Sequence, residues 1–151
     1  MDNQKMALSY LHGAKSRLES ARNAFSGKDY PYVVRQSQEC VELCLKSALR
    51  FAGIEPPKWH DVGFILEKEK DRFPQWFKNE IERFVFISRK LRREREPSMY
   101  GDEELSLTPE ELYHEYDAKV SLEDAVFVYE KCEELLSDKR GTYVRRRSCG
   151  E

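Results

Sequence analysis

The sequence predicts an all-α fold, an up-and-down antiparallel bundle of four long helices plus one short helix. Three observations carry this. Four separate stretches place apolar residues at steps of three and four, the mark of a helix with one buried face. Glycine, proline and capping residues fall between those stretches. No stretch alternates apolar and polar residues with the period of a half-buried strand. At 151 residues the chain is long enough for one core and short for two, so a single domain is expected over 1–138, with a basic tail over 139–151.

The first helix is expected from about residue 4 to 26, with Ala7, Leu11, Ala14, Leu18, Ala21 and Phe25 forming a narrow apolar seam. Gly27 ends it, and Asp29 stands where an N-cap belongs, with Pro31 two residues on. The second helix, from about 30 to 52, buries Val34, Val41, Cys44, Leu45, Ala48 and Ala52. Gln38, Glu42 and Lys46 stand four apart on a second stripe, read foremost as an ordinary surface pair and alternatively as a dimer seam. Gly53 and Pro56-Pro57 break the chain. Trp59, expected as a lid over the core, precedes His60 and Asp61, and Asp61 caps a short helix carrying Val62, Ile65 and Leu66.

Phe73-Pro74 opens the third long helix, whose face is Phe77, Ile81, Phe84, Ser88 and Leu91. It continues into a basic run of Arg89, Lys90, Arg92, Arg93 and Arg95, and Pro97 and Gly101 stop it, leaving Ser98, Met99 and Tyr100 at a loop mouth. Thr108-Pro109-Glu110-Glu111 is a capping box that opens the fourth long helix, with Ala118, Leu122, Ala125, Tyr129, Cys132 and Leu136 inward. Lys139-Arg140-Gly141 ends it.

Composition excludes little beyond the membrane. The 26 basic and 28 acidic residues nearly cancel, so local blocks of charge decide more than the sum. No apolar run approaches the ~20 residues of a membrane span and the N-terminus has no apolar signal segment, so a cytoplasmic protein is expected. Cys40, Cys44 and Cys132 fall at core positions and are expected to remain thiols, as is Cys149 in a reducing compartment. No metal site is expected. Cys40 and Cys44 lack further thiol ligands, and Glu111 and His114 form one Glu-x-x-His where a di-iron bundle needs two. No cofactor is called for.

The basic run is the functional candidate. One or two of its charges suit a helix C-terminus, and Glu94 and Glu96 can pair with others. Five cations in seven residues exceed that need. Guanidinium forks match phosphate oxygens, and Tyr100 offers a stacking face. An acidic protein partner and a plain solvated face stand as the competing readings.

Three pieces of this chain resemble the HEPN domain family of small helical proteins. Gln38, Glu42, Leu45, Lys46, Ala48 and Leu49 match that family's second-helix core, Trp59-His60-Asp61-Val62 resembles its His-Asp-Leu, and Arg95 to Asp102 resembles the loop of one archaeal branch. The resemblance implies a bundle that often dimerises. It also implies one of two roles: a metal-independent ribonuclease with an Arg-x(4–6)-His motif, or a non-catalytic binder of nucleotide, RNA or a partner such as a small nucleotidyltransferase in a toxin–antitoxin module. From Arg92, Arg93 or Arg95 the spacing ends on residues 97 to 102, none of them histidine. Tyrosine, titrating near 10, replaces a base that should titrate near 6.5. The expectation is therefore a non-catalytic homodimer binding nucleotide or RNA through Arg89, Arg92, Arg93, Arg95, Tyr100 and His60, or binding a nucleotidyltransferase. The alternatives are a degenerate ribonuclease using Arg95, Tyr100 and His60, and a protein-interaction adaptor.

Overall fold

The computed structural model describes residues 2–56, 58 and 61–137. Trp59, His60, Cys149, the Lys139-Arg140-Gly141 stop and the tail lie outside the described residues. Among those described, eight α-helices and a 3₁₀ turn are present, with no strand and a single isolated bridge between Asp102 and Leu107.

Helix α1 (Asn3–Ser26) and α2 (Tyr30–Phe51) form an antiparallel pair. The seam of α1 buries as its spacing predicts, from Ala7 to Ala21. The turn between the helices takes its left-handed residue at Lys28, with φ 59°, rather than at Gly27. Asp29 occupies the cap position of α2, but its side chain makes no capping hydrogen bond. Gly53, with φ 80°, closes the far end.

Helix α2 is buried over most of its surface, with a half-exposed stripe at Arg35, Glu39, Glu42 and Lys46. Besides its apolar stripe it hides Gln36, Ser37, Gln38, Ser47 and Arg50. The Ser47 hydroxyl donates to Ala7 O at 2.8 Å, which meets its bonding need in the core. Gln38 is only 2 % exposed, which corrects the surface reading for that one member of its stripe. Glu42 and Lys46 on the same stripe are half-buried and pair at 3.7 Å.

The third long helix expected from the sequence is broken. A four-residue α4 (Gln75–Lys78) follows α3 (Val62–Lys68) and the turn at 70–72, and the chain restarts as α5 (Ile81–Arg93). Aromatic packing accounts for the bend. In a straight helix, Phe77 and Phe84 would be separated by about 10.5 Å of rise, whereas their ring centroids lie 5.1 Å apart. Phe77 also stacks on Phe73 at 4.9 Å, and Phe84 reaches Phe127 of α8 at 5.7 Å.

The fourth helix is interrupted as well. The capping box forms, with Thr108 Oγ1 accepting from Glu111 N–H and the Glu111 carboxylate accepting from Thr108 N–H. It caps only α7 (Pro109–Leu112). Tyr113 is extended at φ −113° and ψ 128°, and α8 (Glu115–Ser137) begins afresh with His114 N–H donating to Asp117 Oδ2 at 2.8 Å. Tyr113 sinks its ring into the core, and its hydroxyl donates to the Glu94 carboxylate at the end of α5. That contact could not form if the helix continued.

The three thiols Cys40, Cys44 and Cys132 are buried and free, with Cys40 and Cys44 sulfurs 4.0 Å apart. Burial and the two neighbouring thiols raise Cys44 well above its ordinary value, so it is a packing residue with little thiolate. Because the bend at residues 79–80 rests on one aromatic cluster, Phe84→Ala should cost about 3–5 kcal/mol in urea unfolding. A loss below about 1 kcal/mol would show that other contacts set the bend.

Candidate functional site

Helix α5 turns its apolar side inward through Phe84, Ile87, Ser88 and Leu91 and leaves Arg89, Arg92 and Arg93 outside. The helix ends at Glu94. Pro97, expected to open a loop, instead starts a further helical turn, α6 (Pro97–Tyr100). Ser98 is buried inside it, its N–H donating to Glu94 O and its hydroxyl to Arg95 O at 3.0 Å. Gly101 ends this turn at φ 74°, and a Cβ there would lie 2.1 Å from Leu107 O. Only glycine fits, and the Asp102–Leu107 bridge then closes the acidic loop behind it with bonds of 2.8 and 2.9 Å.

The cations of the run divide into spent and unspent. Arg83 stacks over the Phe127 ring at 3.7 Å, and Lys90 pairs with Asp124 at 2.7 Å. Arg89 gives Asp61 a 2.7 Å bond, and Arg92 lies 3.6 Å from the same carboxylate. Arg93 and Arg95 make no ion pair among the described residues.

Arg92, Arg93 and Arg95 line one side of an open cleft of about 590 Å³, with Glu96 and Pro97. Its other side is Glu42 and Lys46 of α2, Lys58 of the connector and Val62 of α3. Sequence reasoning missed Lys58 as a contributor and gave Lys46 no binding role. Only the packing of α2 against α5 and α6 brings Lys46 to the arginines, so no local pattern marks it.

The remaining predicted residues go elsewhere. Arg89 does not line the cleft and is committed to Asp61. Tyr100, 61 % exposed, lines a separate hollow of about 390 Å³ with Glu96, Asp102, Glu103, Glu104 and Leu112. The expected meeting of Tyr100 with the arginines therefore does not occur. Its backbone turns through α6 and points its side chain toward the acidic loop. His60 lies outside the described residues. His114 is well exposed beside Asp117 at 3.9 Å. Among the described residues no group of three His, Cys, Asp or Glu side chains is placed to hold a metal ion, and no helix is long and apolar enough to cross a membrane.

Asp61 sets the electrostatics of the cleft's edge. Burial pulls its carboxyl up, but the Arg89 bond, the Gly63 N–H and the charges of Arg89 and Arg92 together outweigh that and leave it below its ordinary value. Past the C-terminus of α5, burial and then the Glu94 carboxylate drive the Tyr113 hydroxyl well above its usual range, so it stays protonated and donating. On α8, burial and Glu133 push Tyr129 up to about 12.

These features describe an all-helical bundle with a basic cleft at the junction of its second, third and fifth helices. Residues 7–135 match the family model of the HEPN domain, and the chain belongs to that family. The crystal structure of ST0689, an archaeal HEPN homologue, shares the fold with a TM-score of 0.64 and 24 % identity, over 87 % of this chain and 98 % of that one. No curated protein matches the sequence.

The folded-state value of Asp61 lies below its ordinary 3.8. Its stabilisation is therefore fully present above that value and is lost as pH falls through the lower, folded value. Asp61→Asn should flatten the fall in stability below about pH 4, read as urea midpoints across an acid series. Superimposable profiles would remove Asp61 as a contributor.

Proposed function

We propose that this HEPN bundle, one domain over 1–138 acting as a homodimer, binds nucleotide or RNA through phosphate groups and does not cut it. The observation that carries this is the composition of the cleft. Lys46, Lys58, Arg92, Arg93 and Arg95 line it together with Glu42 and Glu96, five cations against two carboxylates. Two of those guanidiniums are unspent, and a desolvated phosphate is the partner that their forked donors match. The fit favours phosphate over a plain solvated face, because a solvated face does not gather cations from three separate segments of chain.

Two features favour binding without cleavage. No histidine follows the arginines at the ribonuclease spacing. Tyr100, the residue standing in that stretch, opens onto the acidic hollow rather than the cleft. A proton acceptor must come within hydrogen-bond reach of its proton in a plausible substrate pose, so the ribonuclease alternative draws no support from Arg95 and Tyr100.

The second reading is a protein partner, in the family's terms a small nucleotidyltransferase of a toxin–antitoxin module. Met99, Tyr100 and Leu105 favour it, being 40 %, 61 % and 68 % exposed, with Tyr100 lining the acidic hollow. That surface suits a partner with basic and aromatic side chains, and it leaves the cleft open.

Titrating ATP and a short single-stranded RNA at graded salt tests the phosphate reading. For RNA, affinity should fall with salt by a log–log slope of about −0.7 per neutralised phosphate. Arg93→Ala and Arg95→Ala should each weaken binding and flatten that slope by roughly one contact, while Tyr100→Ala changes little. Absence of binding at low salt, or indifference to both arginine variants, overturns it. Metal-independent RNA cleavage abolished by Arg95→Ala would instead establish the ribonuclease.

A further inference from the structure

Asp61 stands at the edge of the cleft and holds three groups with one carboxylate. Its Oδ1 accepts the Gly63 N–H at 2.9 Å and so caps α3. Its Oδ2 takes Arg89 Nε at 2.7 Å. The third group, Arg92 Nη1, lies 3.6 Å from Oδ1, beyond hydrogen-bond distance. The two arginines stand three residues apart on α5, yet only Arg92 lines the cleft. The carboxylate therefore grips the arginine outside the cleft closely and the one inside it loosely.

An entering phosphate offers Arg92 what Asp61 does not, a bidentate partner within bonding distance. Asp61 cannot follow Arg92 into the cleft, because the Arg89 bond and the α3 cap hold it. We propose that Asp61 is an internal counter-ion, which an incoming phosphate displaces from Arg92 while Arg89 retains it. Empty, the cleft shows the unspent guanidiniums of Arg93 and Arg95. Occupied, it gains Arg92 as a third. The negative charge at Asp61 thus competes with the ligand and sets the affinity of the site below what its arginines alone would give. This rests on the phosphate reading of the cleft.

The test is calorimetry with inorganic tripolyphosphate, run in parallel with ATP and a short oligouridylate. Asp61→Asn keeps an oxygen for the Gly63 N–H, and Asp61→Ser is a second variant able to cap. Both should bind tripolyphosphate roughly 2- to 5-fold more tightly, the size of an exposed ion pair that no longer competes. The gain should vanish in an Arg92→Ala background. A carboxylate with only a structural role would give unchanged or weaker binding, or a gain that does not depend on Arg92. A gain with ATP assigns the anion to a nucleotide's phosphates, and a gain with oligouridylate alone assigns it to an RNA backbone; each supports the displacement. Unchanged affinity in both variants with native melting curves overturns it, as does an equal gain without Arg92. Wild-type protein that binds none of the three probes at low salt overturns the phosphate reading itself, and this inference with it.

Discussion

The near-complete burial of α2 is the constraint on which the rest depends. A helix that buries Val33, Val34, Cys40, Val41, Cys44, Leu45 and Leu49 over half of its circumference, with Gln36, Ser37, Gln38 and Ser47 hidden beside them, keeps only a narrow half-exposed stripe through Arg35, Glu39, Glu42 and Lys46, so neighbours must cover the rest. Helix α1 covers one side and α8 a second, and α3, α5, α6 and α7 share the third. The third side is made of short pieces because a single straight helix covers only a strip. The bend at residues 79–80 and the break at Tyr113 let those pieces wrap.

The cleft follows from the same constraint. It lies where the wrapping is incomplete, with Glu42 and Lys46 as the part of α2 left accessible between α3, α5 and α6. A gap over the central helix gives a concave site with walls on separate elements, which is how ligand sites are commonly built. Its charge comes from the end of α5, where cations also oppose the helix dipole. Packing and the cleft thus draw on one helix but on different residues of it. Arg83 and Lys90 serve packing through Phe127 and Asp124, Arg89 serves the α3 cap through Asp61, and those further along remain available.

Much of the bundle was legible in the sequence. The seams of α1 and α8, the caps at Asp61 and Thr108, the stops at Gly53 and Gly101, and the core thiols all appear as spaced, because each depends on neighbours within a turn or two. The expected continuous helices did not hold. Their breaks are set by Phe77 meeting Phe84 and by Tyr113 reaching Glu94, contacts that local spacing does not encode. The stripe of Gln38, Glu42 and Lys46 reads as surface because amphipathic logic assigns polar residues outward. That logic holds for Glu42 and Lys46, which stay half-exposed and paired, and fails for Gln38, which neighbouring helices cover.

The candidate site divides along the same line. By itself the sequence determined that the chain carries a dense basic run ending at a proline, with no histidine at the spacing a family ribonuclease would use, since composition and order alone settle those facts. Only the tertiary structure decided which cations are free. Asp61, Asp124 and Phe127 lie 28, 34 and 44 positions from the residues they engage (61 to 89, 90 to 124, 83 to 127). The fold likewise brought Lys46 and Lys58 to the arginines and turned Tyr100 away. An ion pair depends on distance in space, and in a bundle that distance is fixed by how helices cross rather than by their order along the chain.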